Sequence, residues 1–78
     1  MITVKLFGLL RLDTGIRELQ LEAGSVQDVY AAILARTTAV TRRDLEGCIV
    51  LVNGEQKNKR ARLKPGDEVT LLSPVAGG

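Results

Sequence analysis

The sequence ends Pro74-Val75-Ala76-Gly77-Gly78, and its chemistry concentrates there. Gly77 and Gly78 carry no Cβ, so the last two residues can enter a tunnel too narrow for any other side chain. At an average usage of about 7% glycine, a Gly-Gly end arises by chance in roughly 0.5% of chains, too seldom to dismiss as accident. The reactive group of such an end is the α-carboxylate of Gly78. A carboxylate is a poor electrophile until one oxygen becomes a good leaving group, as in an acyl-adenylate. A sulfur or amine nucleophile can then take over the acyl carbon. Pro74 stiffens the exit from the preceding segment and directs the tail away from it.

The remaining reactive side chains offer less. Cys48 stands at the head of the apolar run Cys48-Ile49-Val50-Leu51-Val52, where a thiol reads as inert core. One cysteine and no histidine exclude an internal disulfide, a zinc site and an iron–sulfur cluster, so no metal is expected. There is no histidine for general-base work, no G-x-S-x-G and no Gly-rich phosphate loop. The chain is therefore not expected to be an enzyme in its own right. Lys57, Lys59, Arg60, Arg62 and Lys64 form a dense basic group. It fits a charged edge strand guarded against edge-to-edge pairing. It also fits a docking patch for an acidic partner, with Lys57, Arg60 and Arg62 as candidates. Nucleic acid is not an expected partner, because only Phe7 and Tyr30 are aromatic and no broad basic face is visible.

Composition limits what can position the tail. Seventy-eight residues make one domain, with 11 basic against 9 acidic side chains. A chain this short buries only about 60% of its unfolded surface, so aliphatic Leu, Val and Ile must fill an efficient core. The lone cysteine suits a reducing compartment. No basic-then-apolar leader opens the sequence, and no apolar run approaches the roughly 20 residues that span a bilayer. A cytoplasmic protein with no membrane association is expected.

The elements follow from hydrophobic period. Ile2, Val4 and Leu6 alternate, predicting a half-buried strand over 2–7, and Leu19 and Leu21 repeat the pattern over 16–22. The segment 8–15 between them reads as a loop. Val26, Val29, Tyr30, Ile33 and Leu34 form one apolar stripe at helical spacing. Ser25 is its predicted N-cap, Asp28 a capping-box variant, and Arg36 is placed in the last turn. Thr37 to Gly47 reads as a polar connection. Cys48 to Val52 shows no alternation, as expected of a strand covered on both faces. Asn53-Gly54 predicts a type I′ hairpin and Lys64-Pro65-Gly66-Asp67 a type II turn. Between them lies a short charged edge strand. Val69 and Leu71 mark the inner face of a final strand over 68–72.

The order strand, strand, helix, strand, short strand, strand makes a two-layer α+β domain, with the last strand parallel to the first through a right-handed crossover. That is the ubiquitin-like β-grasp arrangement: a mixed four-to-five-stranded sheet packed against one helix. Residues 1–72 form the domain and 73–78 a flexible Gly-Gly tail.

Over essentially its whole length the chain resembles the MoaD/ThiS family, the sulfur carriers that serve as molybdopterin synthase small subunits and in thiamine biosynthesis. The resemblance rests on Ile2 to Phe7 followed by Arg11 and Gly15, on Ser25-Val26-Gln27-Asp28, and on Val52-Asn53-Gly54-Glu55. Most specific is Leu63-Lys64-Pro65-Gly66-Asp67-Glu68-Val69 running into Pro74-Val75-Ala76-Gly77-Gly78. The resemblance implies that a ubiquitin-activating-like adenylyltransferase consumes ATP to adenylate Gly78, with no cofactor bound by the carrier itself. A sulfur-donating enzyme then gives the thiocarboxylate. The sulfur is delivered inside a larger catalytic synthase subunit, whose tunnel takes Pro74, Val75, Ala76 and Gly77. The family docks through the helix-free face of its sheet, which makes Phe7 and Leu72 candidate contacts; packing at the sheet margin is the alternative.

Pro74 before Val75 and the length of 78 resemble the molybdopterin branch more than the shorter thiamine carriers. The molybdopterin pattern usually has an aromatic and a second proline where this chain has Leu72 and Ser73, and Arg-Glu where it has Arg11-Leu12. The same tail would serve a protein modifier that forms isopeptide bonds. A non-carrier interaction module is the remaining alternative.

Overall fold

The computed structural model describes residues 1–73; the tail residues 74–78 lie outside the described residues. The chain runs β1 (Ile2–Phe7), α1 (Leu9–Thr14), β2 (Glu18–Leu21), α2 (Val26–Leu34), α3 (Arg42–Glu46), β3 (Ile49–Val52), β4 (Glu55–Lys57) and β5 (Glu68–Leu72). The strands form one mixed sheet in the order β2-β1-β5-β3-β4. Its centre is the parallel pair of β1 and β5, and every other neighbour is antiparallel. This is the β-grasp topology expected from the order of periods.

Alternation determines which face is buried. Ile2, Val4 and Leu6 of β1, Val69 and Leu71 of β5, and Val50 and Val52 of β3 all point to one side. There they meet Val26, Val29, Tyr30 and Ile33 of α2, which are fully buried. Each such side chain contributes roughly 1.5–3 kcal/mol on leaving water. Tyr30 packs its ring into this core while its hydroxyl has no hydrogen-bond partner among the described residues. Burial first, then the nearby Cys48 thiol, pushes the Tyr30 phenol above its ordinary pKa.

The α2 start is capped as the sequence predicts, with the Ser25 hydroxyl accepting from Asp28 N–H at 3.2 Å. The Asp28 carboxylate reaches past the cap residue to accept from Gly24 N–H at 3.0 Å. The helix ends at Leu34 with Ala35 as its C-cap, so Arg36 lies beyond the last turn rather than in it. The two tight turns also form as predicted. Asn53 (φ 53°) and Gly54 (φ 83°) both sit in the left-handed region that a type I′ turn requires. Gly66 (φ 91°) supplies the positive φ of the type II turn, closed by Asp67 N–H to Lys64 C=O at 3.1 Å.

Three further expectations need correction. Residues 8–15 hold a short helix, α1, where a loop was expected. It buries Leu10, is braced by Thr14 Oγ1 donating to Leu10 C=O (2.8 Å), and ends at Gly15 in the left-handed conformation. Six residues are too few to display a helical period, and such a helix persists through its tertiary contacts. The segment 37–47 likewise contains α3, opened by a full capping box. Thr41 Oγ1 accepts from Asp44 N–H (3.2 Å), and Asp44 Oδ2 accepts from Thr41 N–H (2.8 Å). The signal was Thr-x-x-Asp just before Leu45. Leu45 and Val40, in what read as a polar connection, belong to the core. Finally, β3 is covered on one face only. Val50 and Val52 are buried, while Ile49 is 40% exposed and Leu51 half-buried on the other side. Cys48 precedes the strand and is partly buried.

Asp67 joins the two turns. Its carboxylate accepts from Lys64 N–H at 2.8 Å and from Asn53 Nδ2 at 3.0 Å, and Asn53 Oδ1 in turn accepts from Glu68 N–H at 2.9 Å. The Lys64 backbone bond, then the Asn53 side chain, hold the Asp67 carboxyl below its ordinary value of 3.8.

Two outcomes follow. Leu45→Ala should destabilise the protein by about 2–5 kcal/mol, because it opens a cavity under α3; an unchanged denaturation midpoint would mean that α3 does not seal the core. Asp67 has a depressed folded pKa, so its contribution is present at neutral pH and is lost as pH falls through that pKa. Asp67→Asn should therefore lower the urea midpoint at neutral pH, with the gap from wild type narrowing as the pH falls below the ordinary carboxylate range. A gap that stays constant with pH would show that the carboxylate charge plays no part.

Candidate functional site

The parallel pairing of β1 with β5 brings the C-terminal ends of both strands to the same end of the sheet. Phe7 is opposite Leu72 in the β1–β5 register, and Ile49 is opposite Leu72 across β5–β3. These residues have the opposite parity to the buried set, so they share the helix-free face. Phe7 is 39% exposed and Leu72 half-buried. The two side chains proposed from the sequence as docking contacts are thus neighbours, and Ile49 and Leu51 extend the same apolar surface. The sequence reading missed Ile49 and Leu51 because a run of five apolar residues hides its own alternation. One α2 layer can cover only one face of the sheet, and that rule could have identified them. Farther down this face Lys5 pairs with Glu68 at 3.5 Å, in an exposed ion pair of small energetic weight.

Ser73 follows β5 directly and lies beside the β1–α1 junction. Its hydroxyl accepts from Leu10 N–H at 3.2 Å and donates to Phe7 C=O at 3.5 Å. The described chain therefore leaves the sheet at the corner where Phe7, Leu72 and Ile49 are grouped. The tail residues Pro74, Val75, Ala76, Gly77 and Gly78 lie outside the described residues.

Behind this corner, on the side of α1 and α3, lies an open cleft of about 330 Å³ lined by Leu9, Leu10, Val40, Asp44, Cys48 and Ser73 among others. The Cys48 thiol donates to Asp44 C=O at 3.4 Å. Burial, and secondarily the Asp44 charge, push this thiol above its ordinary value of 9.0. It is therefore overwhelmingly protonated near neutrality, and a protonated thiol is a poor nucleophile.

The basic group lies elsewhere. Lys57 is opposite Val50, so it points to the helix side of the edge strand β4. Arg60 and Arg62 sit in the loop that crosses the start of α2, where Val26 N–H donates to Ala61 C=O at 3.0 Å and Gln27 Nε2 donates to Lys59 C=O at 3.0 Å. Lys57 pairs with Glu55 at 3.2 Å and Lys59 with Glu46 at 3.6 Å. Lys57, Arg60 and Arg62 line a shallow groove of about 380 Å³. The apolar corner and the basic edge are separate surfaces. Among the described residues no group of three His, Cys, Asp or Glu side chains could hold a metal ion, and no helix is long and apolar enough to cross a membrane.

Comparison with known proteins agrees with this geometry. The profile of the ThiS family matches residues 4–78. The fold superimposes on small archaeal modifier protein 1 from Haloferax volcanii with a TM-score of 0.81 at 28% identity, covering 99% of this chain and 98% of that one. A chain in the complex of subunits 1 and 2 of molybdopterin-converting factor from Helicobacter pylori 26695 matches at 27% identity, TM-score 0.66, covering 99% and 97%. A chain of the BexX/CysO complex from Amycolatopsis orientalis matches at 31% identity, TM-score 0.65, with both chains covered fully. A search of curated protein sequences returned no match.

The protonated, half-buried thiol leads to a direct outcome. Iodoacetamide should alkylate Cys48 in the folded protein well below the rate for glutathione at the same pH, and denaturant should remove the difference. Equal rates in the folded state would contradict the inert assignment.

Proposed function

The chain belongs to the ThiS family of ubiquitin-like sulfur carriers, and from that premise we propose that it donates sulfur in molybdopterin biosynthesis from a thiocarboxylate on Gly78. The observation that carries the reading is the place of the Gly77-Gly78 end in the chain, five and six residues beyond Leu72 at the corner where Phe7, Leu72 and Ile49 form an apolar surface. A partner seated on that surface would have the end of the chain within reach of its own active site.

The chemistry needs no side chain of the carrier. A carboxylate oxygen of Gly78 attacks the α-phosphorus of ATP, and pyrophosphate leaves. Hydrosulfide released by a donor enzyme then attacks the carbonyl carbon. The new C–S bond forms as the C–O bond to AMP breaks, AMP departs with that oxygen, and loss of the S–H proton leaves the thiocarboxylate. The activating adenylyltransferase and the larger synthase subunit supply the catalytic groups. The carrier supplies an end slim enough to enter both sites, in which Pro74, Val75, Ala76 and Gly77 lead along the sequence to Gly78. Phe7 and Leu72 form the docking contact in this reading. Lys57, Arg60 and Arg62 provide a second, electrostatic contact for an acidic partner surface.

The molybdopterin branch is favoured by Pro74-Val75 and by the full-length likeness to a chain of the Helicobacter pylori converting-factor complex. A second reading, covalent attachment of Gly78 to target lysines, draws on the higher TM-score to the archaeal modifier. A thiamine carrier is the remaining branch.

Removal of Gly78 should abolish sulfur loading while leaving the thermal melt close to wild type. Loading of the truncated chain would sink the tail mechanism. Between branches, the gene should rescue a strain lacking its molybdopterin synthase small subunit and not a thiamine auxotroph. The reverse pattern would assign the thiamine branch, and isopeptide-linked adducts on lysines would assign the modifier.

A further inference from the structure

We propose that Ser73 is a positioning residue that latches the root of the tail to the start of α1 and so fixes the point from which Gly78 reaches a partner's site; this role rests on the carrier reading above. α1 begins without a local cap, because Gly8 at the N-cap position has no side chain to offer. The missing acceptor comes from the far end of the described chain. Ser73 Oγ takes the Leu10 N–H at 3.2 Å across 63 residues of sequence and returns its own proton to Phe7 C=O at 3.5 Å. One hydroxyl thereby bridges the last residue of β1, the second residue of α1 and the residue that follows β5.

Gly8 makes room for this bridge. Its backbone lies at φ 68° and ψ −146°, a region essentially restricted to glycine. A Cβ built there would come within 2.6 Å of Ser73 Oγ. Both the conformation and the clearance require glycine, and both serve the same contact. Ser73 also precedes Pro74, which confines its backbone to extended conformations. The root of the tail is thus restrained by a covalent neighbour on one side and by a hydrogen-bonded side chain on the other.

The restraint bears on reach. Five residues span at most about 17 Å from Ser73 to Gly78, so the place where Ser73 is held bounds the region that the Gly78 carboxylate can reach from a docked surface. Docking through Phe7 and Leu72 does not depend on the hydroxyl, so the latch should influence turnover within the docked complex more than docking itself.

The test uses full-length variants. In native-state hydrogen exchange, Ser73→Ala should accelerate the Leu10 amide about five-fold or more, the scale of one lost hydrogen bond, and Ser73→Thr should restore protection. In pyrophosphate release with the activating enzyme and ATP, Ser73→Ala should lower kcat several-fold with KM for the carrier within about two-fold, again restored by Ser73→Thr. Gly8→Ala should show both defects, and adding Ser73→Ala to it should relieve part of its loss of thermal stability by removing the clash. Unchanged Leu10 exchange in Ser73→Ala would overturn the latch. Faster exchange with unchanged kcat, or a rise in KM alone, would reduce the hydroxyl to a helix cap and overturn the positioning role. No pyrophosphate release even from wild type would overturn the carrier reading and the positioning role together, while the exchange data would still decide whether the latch exists.

Discussion

The parallel pairing of β1 with β5 is the constraint on which the other features depend. Antiparallel neighbours would send the two strand ends to opposite edges of the sheet. Parallel neighbours deliver both to one corner, so Phe7, Gly8, Leu10, Leu72 and Ser73 meet although more than 60 residues separate the first from the last. The pairing demands a crossover, and the α2 layer that provides it buries one face of the sheet while leaving the other bare. A bare apolar patch at the exit of a Gly-Gly tail is thus a product of topology as much as of composition.

Much of this arrangement was legible in the sequence, and what was not has identifiable physical causes. Strands β1 and β5 declare themselves by period-two alternation, α2 by its stripe and Ser25 cap, and the turns by Asn53-Gly54 and Pro65-Gly66. Helices α1 and α3 escaped notice because five or six residues cannot establish a 3.6-residue period. The Thr41–Asp44 capping box was nonetheless present as a local signal. The bare face of β3 was hidden because Ile49 and Leu51 are as apolar as Val50 and Val52, so burial there is decided by the single helix layer and not by the strand. Of the candidate contacts, Phe7 and Leu72 come together while Lys57, Arg60 and Arg62 lie on another edge. The Ser73 latch could not be read locally, since its partners are distant in sequence.

The scarcity of chemical side chains also becomes intelligible. The chain has no histidine and one cysteine, and the structure keeps that thiol protonated and half-buried beside Asp44. Tyr30, the only tyrosine, is a core residue. A carrier whose reactive group is its own terminus gains nothing from competing nucleophiles near that terminus. In the proposed carrier reading its folded part has two tasks: to present a surface that a partner can recognise, and to hold the root of the tail, Ser73, beside that surface.

The central claim is that the Gly78 carboxylate is the sole reactive group of this protein. Its most direct test replaces that carboxylate with a carboxamide by semisynthesis, changing one terminal atom and leaving every docking contact intact. With the activating enzyme and ATP, the amidated chain should compete with wild type for binding at equal affinity and release no pyrophosphate. Pyrophosphate release from the amidated chain at the wild-type rate would contradict the account, because another group would then be the one activated.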